Sequence, residues 1–211
     1  MRIITVSREF GSGGRELGSR LAAALGWDYY DKEIIEVLAA EHGMDEDDVR
    51  EVLNNHGWSH IQLTYRSSFS HMMFHPGSHL PLLLRQKEII REIADSEHDC
   101  VIVGRDADVI LHDFDPFRIF VCADMEARLA RTMAYELRKP EGERLSEKEI
   151  RKNIRRIDRA RVRTREVLTG KSGSDHSTFD LTINASGKDL KKLAGALAQF
   201  SEYWFTDRKE A

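Results

Sequence analysis

A short apolar run, Ile3-Ile4-Thr5-Val6, passes through Ser7-Arg8-Glu9-Phe10 into Gly11-Ser12-Gly13-Gly14, and an amphipathic helical pattern begins immediately afterwards. Three glycines in four positions are more than a tight turn needs. Glycine adopts positive φ without a steric penalty and lets the backbone approach a ligand closely. The N–H groups at a helix start have no partners in the helix and carry partial positive charge. A strand, a glycine-rich bend and a helix in this order therefore form a cradle for phosphate. The plainer alternative is a strand–helix turn that holds nothing. A dinucleotide fingerprint fits less well: Gly11-Ser12-Gly13 opens G-x-G-x-x-G, but Glu16 stands at its last position.

Against the phosphate-loop consensus G-x-x-x-x-G-K-[ST], with Gly14 as the second glycine, the first glycine falls on Glu9, the lysine on Arg15 and the hydroxyl residue on Glu16. In this register Gly11, Ser12, Gly13, Gly14, Arg15 and Glu16 form the donor-phosphate site. Arg15 stands where a lysine would reach the terminal phosphates. Glu16 would meet magnesium only through water.

The rest of the chain repeats the strand–helix theme. Apolar, β-branched runs at residues 2–6, 100–104, 117–123 and 179–184, with a weaker one at 27–30, read as strands covered on both faces. Leu17, Leu21, Ala24 and Leu25 fall on one helix face that Gly26 closes. Ile89, Ile90, Ile93 and Ala94 make a second stripe, and Met125, Leu129, Met133 and Leu137 a third. Leu190, Leu193, Leu197, Phe200 and Trp204 make the last. The alternation predicts an α/β fold with a parallel sheet, ligands binding at the C-terminal ends of the strands. With 211 residues, one domain is expected. Two stretches break the pattern and read as covers of the ligand edge: a helical insertion at about 45–82 and an arginine-rich lid at about 140–178.

Residues 151–165 carry eight basic side chains and one acid, Asp158. Such a run is usually a solvated face. Here Ile150, Ile154 and Ile157 define the buried stripe, and Arg161 follows Ile157 by four residues, with Arg165 one turn later. A buried arginine needs an anion. Asp158 is one candidate and a nucleotide phosphate another. At the end of the 100–104 strand, the ligand edge of a parallel sheet, Arg105 is placed to clamp a phosphate and Asp106 to contact a ligand or metal-bound water; a helix cap is the alternative for Asp106 or Asp108. Asp31 and Asp124 each precede a helix and read first as caps, Asp31 also as an acceptor ligand. His71, His75 and His79 repeat at helical spacing, but Pro76 and Gly77 interrupt them, which argues against a zinc site.

Several of these segments together resemble the cytidylate kinase-like family of P-loop proteins. The resemblance is carried by residues 4–16, by Tyr30-Asp31-Lys32-Glu33, by residues 101–108 (Val-Ile-Val-Gly-Arg-Asp-Ala-Asp), by Ile157-Asp158-Arg159-Ala160-Arg161, by Thr169-Gly170-Lys171 and by residues 179–184. It implies a three-layer P-loop kinase fold with a five-stranded parallel sheet, an acceptor region and an arginine-bearing lid. It also implies ATP with Mg2+ as donor, and CMP or dCMP as acceptor. Arg15, Arg161, Asp158 and Arg165 would then serve transfer, and Arg105, Asp106 and Asp31 the acceptor. A nucleotide-binding module without transfer, and a kinase of another small metabolite, are the competing readings.

Charge and composition exclude other classes. A net charge of -4, with 32 basic against 36 acidic residues, argues against a globally basic nucleic-acid binder. Apolar runs about a strand long argue against a membrane span. Cys100 and Cys122 sit in apolar runs and read as reduced thiols, so a cytoplasmic location is expected. The sequence leaves homo-oligomerisation open.

Overall fold

Ile3, Ile4, Thr5 and Val6 are all less than 3% exposed, which a strand achieves only at the centre of a sheet covered on both faces. In the computed structural model, which describes residues 1–43, 45–46, 80–170 and 176–207, they belong to β1 (Ile3–Arg8). The element order continues as α1 (Gly14–Leu25), β2 (Asp28–Tyr30), α2 (Glu33–His42), α3 (Leu80–Asp95), β3 (Cys100–Val103) and α4 (Ala107–Ile110). There follow β4 (Phe117–Cys122), α5 (Met125–Glu136), α6 (Glu147–Thr169), β5 (Leu181–Asn184) and α7 (Leu190–Asp207). The strands form one sheet in the order β2-β3-β1-β4-β5, every pairing parallel. The expected strands are thus all present, within a residue or two of their predicted limits.

The alternation of side chains along β1 sets the layers. Ile4 and Val6 join Leu17 and Leu21 of α1, Val101 and Val103 of β3, Phe117, Ile119 and Val121 of β4, and Leu190 and Leu197 of α7. Ile3 joins Ile34, Ile35 and Leu38 of α2, Ile89 and Ile90 of α3, and Ile102 on the other face. Each fully buried leucine or isoleucine contributes about 1.5–3 kcal/mol. Phe117 stacks on Trp204 at a centroid distance of 4.7 Å and fixes α7 on the sheet. Gly18 lets α1 lie against β3: a Cβ there would stand 2.6 Å from Val103 Cγ2.

Three helical stripes differ from expectation; in α7 the difference is Phe200, which is 40% exposed. In α1 the buried face is Leu17, Gly18, Leu21 and Ala22, and Ala24 is exposed; Gly26 closes the helix in the left-handed region as predicted. In α5, Leu129 is buried, but Met133 and Leu137 are 39% and 64% exposed. The helix turns the side of Arg128 and Thr132 inward, because those residues bond to the glycine loop and to its own backbone. The expected insertion and the three histidines lie, apart from 45–46 and 80–82, outside the described residues, as do residues 171–175 of the region expected to form a lid. Among the described residues no helix is long and apolar enough to cross a membrane.

Candidate phosphate-transfer site

Parallel pairing brings the C-terminal ends of all five strands to one edge, with β1 in the middle. The glycine loop, residues 9–13, rises from β1 there. Gly11 (φ 76) and Gly13 (φ 90) take the left-handed conformation, and a Cβ on Gly11 would come within 3.0 Å of the Arg128 carbonyl oxygen. α1 opens at Gly14, with Gly13 as its N-cap.

The loop's carbonyls are tied from outside. Arg161 Nη1 donates to the carbonyl of Arg8 at 2.9 Å, Arg128 Nε to that of Phe10 at 2.7 Å, and Arg131 Nη1 to that of Ser12 at 2.9 Å. Ser12 Oγ donates to the carbonyl of Glu9 at 2.9 Å. With the carbonyls of Glu9, Phe10, Ser12 and Gly13 occupied, the loop leaves donors over: among the described residues the N–H groups of Gly13, Arg15 and Glu16 at the head of α1 donate to no acceptor. An anion-binding loop requires that polarity.

Glu9, where the predicted register wants glycine, is a brace. Its carboxylate accepts from the Ala123 N–H at 3.0 Å and pairs with Arg128 at 3.3 Å. Asp158 accepts from the Phe10 N–H at 2.8 Å and binds the Arg128 guanidinium; Arg161 stands farther off, at 4.0 Å. The expected Asp158–Arg161 pair is therefore the looser of two contacts. Burial, reinforced by the Arg8 charge, lowers the Arg161 pKa to about 9.

Arg165 donates to Asp108 at 2.5 Å and to Thr178 at 2.9 Å, and lies 4.6 Å from the Phe179 ring centroid. Asp108 also accepts from Ser7 Oγ at 3.0 Å, so this pair joins α6 to the ends of β1 and β3. Asp108 is not a cap. Neither is Asp31, contrary to the first reading of its position: Lys32 occupies the N-cap of α2. The buried Asp31 carboxylate meets Arg15 Nε at 2.5 Å and Arg8 Nη2 at 3.5 Å. Asp124 does cap α5, accepting from the Ala127 N–H at 2.7 Å. Glu16 accepts from Arg20 at 2.8 Å along α1.

After β3 the chain takes three successive left-handed residues, Gly104 (φ 74), Arg105 (φ 58) and Asp106 (φ 53). Left-handed backbone costs a non-glycine residue about 1–2 kcal/mol, and such strain clusters at functional sites. The turn carries Arg105 and Asp106 to the sheet edge. Asp106 makes no side-chain cap to α4. Burial, with the Asp108 charge behind it, raises its pKa to about 6.

Seven arginines (8, 15, 105, 128, 131, 161, 165) and five acids (9, 31, 106, 108, 158) thus gather around one loop. Sequence reasoning found Arg15, Arg105, Arg161 and Arg165 and missed Arg8, Arg128 and Arg131. Arg128 was detectable: it lies within the apolar stripe of Met125 and Leu129, where a charge needs a partner.

The profile of the cytidylate kinase-like family matches residues 3–187. The chain belongs to the cytidylate kinase-like family. An uncharacterized protein from Eubacterium ventriosum has the same fold, with a TM-score of 0.67 and 22% identity over 96% of this chain and 99% of that one. Shikimate kinases from Bacteroides thetaiotaomicron (TM-score 0.58, 12% identity, 95% and 98% coverage) and Acinetobacter baumannii (0.52, 14%, 95% and 92%) share it too. The fold is that of the P-loop kinases. No curated protein sequence matches the chain.

Proposed function

We propose that this member of the cytidylate kinase-like family transfers the terminal phosphoryl group of ATP to a nucleoside monophosphate, with CMP or dCMP the favoured acceptor. The observation that carries the reading is the polarity of the glycine loop. Its carbonyls are held outward by Arg161, Arg128 and Arg131, and its helix-start donors face an edge rich in guanidinium groups. A polyanion suits that edge. The donor's phosphates would lie against residues 11–16. Arg161 and Arg165 would serve the transferring group from α6. Arg15, Asp31, Arg105 and Asp106 would face the acceptor.

In the transfer, the bond from the terminal phosphorus to its bridging oxygen breaks and ADP leaves with the electron pair. A new bond forms to an acceptor phosphate oxygen. That oxygen is already anionic at neutral pH, so no base is needed; positioning and charge do the work. Magnesium, when bound, supplies further charge neutralisation. Among the described residues no group of three His, Cys, Asp or Glu side chains is disposed to cage an ion, so it would ride on the phosphates and water. Glu16 would have to leave Arg20 to join its water shell. The free thiols of Cys100 and Cys122 fit a cytoplasmic setting.

Glu16 bound to Arg20 and Arg15 bound to Asp31 favour a second reading, a nucleotide-binding module without transfer. ADP release measured over a panel of nucleoside monophosphates and small hydroxyl acceptors decides. Turnover on CMP or dCMP supports the proposal. ATP binding without turnover supports the second reading, and turnover on a non-nucleotide alone moves the acceptor elsewhere.

A further inference from the structure

We propose that Arg8, the last residue of β1, is the cation that meets the donor's terminal phosphoryl group, and that it replaces the lysine which other phosphate loops place at the helix start. The inference rests on the kinase reading above and assigns one residue within it.

The helix start fixes the register. The consensus G-x-x-x-x-G-K puts its cation at the helix entrance, directly after the last glycine. Here the left-handed N-cap is Gly13 and the first helical residue is Gly14. Counted from Gly13, the lysine position is Gly14 and the first-glycine position is Arg8. The cation and a glycine have exchanged places.

The packing explains why the exchange is paired. A Cβ on Gly14 would lie 2.7 Å from Arg8 Cβ and 3.2 Å from its Cγ. The stem of Arg8 fills the space that a side chain at position 14 would need. The head of Arg8 lies over the start of the β3 turn, where a Cβ on Gly104 would sit 1.3 Å from Nη1. The stem of Arg8 thus keeps Gly14 bare, and its head lies over Gly104, which a φ of 74 already restricts to glycine. Its guanidinium rests at the ligand edge between the central strand and β3.

The charge there is under-compensated. The Arg8 side chain is 11% exposed, and its ion pair with Asp31 spans 3.5 Å. The other oxygen of Asp31 is held by Arg15 at 2.5 Å. Among the described residues the five N–H donors of Arg8 have this one long ion-pair contact, which leaves capacity for an incoming anion. Burial lowers the Arg8 pKa, and Arg15 adds to the effect; phosphate oxygens would reverse both. A planar fork can span two oxygens of the group in transit. Arg15, by contrast, is 63% exposed and faces Asp31 from the second position of α1.

The test compares Arg8→Gln, Arg8→Lys, Arg8→Gly, Arg15→Gln and the exchange variant Arg8→Gly/Gly14→Lys with the unmodified chain. ATP, ADP and AMP affinities are measured by calorimetry, turnover on the best acceptor by ADP release, and folding by circular dichroism. Arg8→Gln is expected to lose about tenfold or more in ATP affinity relative to ADP, and about a hundredfold or more in turnover. Arg8→Lys should fall between. Arg15→Gln should keep the ATP-to-ADP ratio and raise the acceptor KM. The exchange variant should regain ATP preference over Arg8→Gly alone, which holds the proposal to account even if Arg8→Gln does not fold. A folded Arg8→Gln or Arg8→Gly single variant with the unmodified ATP-to-ADP ratio, or the loss appearing in Arg15→Gln instead, overturns the assignment and leaves the kinase reading standing. An unmodified chain that binds no triphosphate overturns both.

Discussion

Arg128 of α5 and Asp158 of α6 meet beneath Phe10 and hold its peptide from both sides: the guanidinium donates to the Phe10 carbonyl, and the carboxylate accepts from the Phe10 N–H. Arg128 is 6% exposed and also reaches Glu9. Removing one partner from such a pair leaves a buried charge behind. Asp158→Asn is expected to cost about 2–4 kcal/mol in urea denaturation and to weaken ATP binding by loosening the loop. Arg128→Met should do the same. A loss below about 0.5 kcal/mol would show that Glu9 and the backbone hold the loop without them.

Arg161 donates to the carbonyl of Arg8, where β1 enters the loop, lies 5.9 Å from the Phe10 ring centroid and sits 4.0 Å from Asp158. Its removal should disturb the fold less than that of Asp158. If its charge serves the transferring group, Arg161→Ala lowers kcat by about a hundredfold while ATP affinity changes less than tenfold. Steady-state kinetics and equilibrium binding on the same preparation separate the two quantities. The reverse pattern would make Arg161 a ground-state nucleotide ligand.

Gly18 offers a test of the frame itself. Alanine is the better helix former by about 1 kcal/mol, yet its methyl would stand 2.6 Å from Val103 Cγ2. Valine is stiff at χ1 and cannot swing aside cheaply. Gly18→Ala is therefore expected to destabilise by about 1–3 kcal/mol. Val103→Ala in the same chain should recover part of that loss in a double-mutant cycle. Simple additivity would mean that α1 and β3 shift apart at little cost.

β1 and β3 were legible because each is a short β-branched run buried on both faces; β4 and β5 alternate in burial, and the short β2, partly exposed throughout, gave the weakest signal. The glycine loop was legible because three glycines in four positions between a strand and a helix exceed what a turn needs. The assignment of partners was not. Asp31 looks like a helix cap in sequence, because the arginines that claim its carboxylate, Arg8 and Arg15, lie on β1 and α1. Asp158 and Arg161 share a helix face, so their spacing suggests a pair, but Arg128 approaches from another helix and takes the closer contact. The motif's register turned on one residue, the left-handed N-cap Gly13, which three glycines in four positions conceal.

Asp106 should make stability depend on pH in the direction opposite to an ordinary ion-paired acid. Burial and the neighbouring Asp108 raise its pKa from 3.8 to about 6, against the pull of Arg165, Arg8 and Arg105. Between those two values the folded chain binds more protons here than the unfolded chain, so this group's contribution falls as pH rises through the window. Above pH 6 the penalty of the buried carboxylate is present in full; below about pH 4 both states are protonated and it vanishes. Asp106→Asn removes the charge and keeps the shape. It is expected to be more stable than the unmodified chain by about 1–2 kcal/mol at pH 8, after allowing for the solvent that still reaches the side chain. That gain should shrink to nothing near pH 4 in urea titrations run at both ends. A gain independent of pH would mean that Asp106 titrates alike in the folded and unfolded chains, and a loss of stability at pH 8 would mean that the arginines around it outweigh its burial.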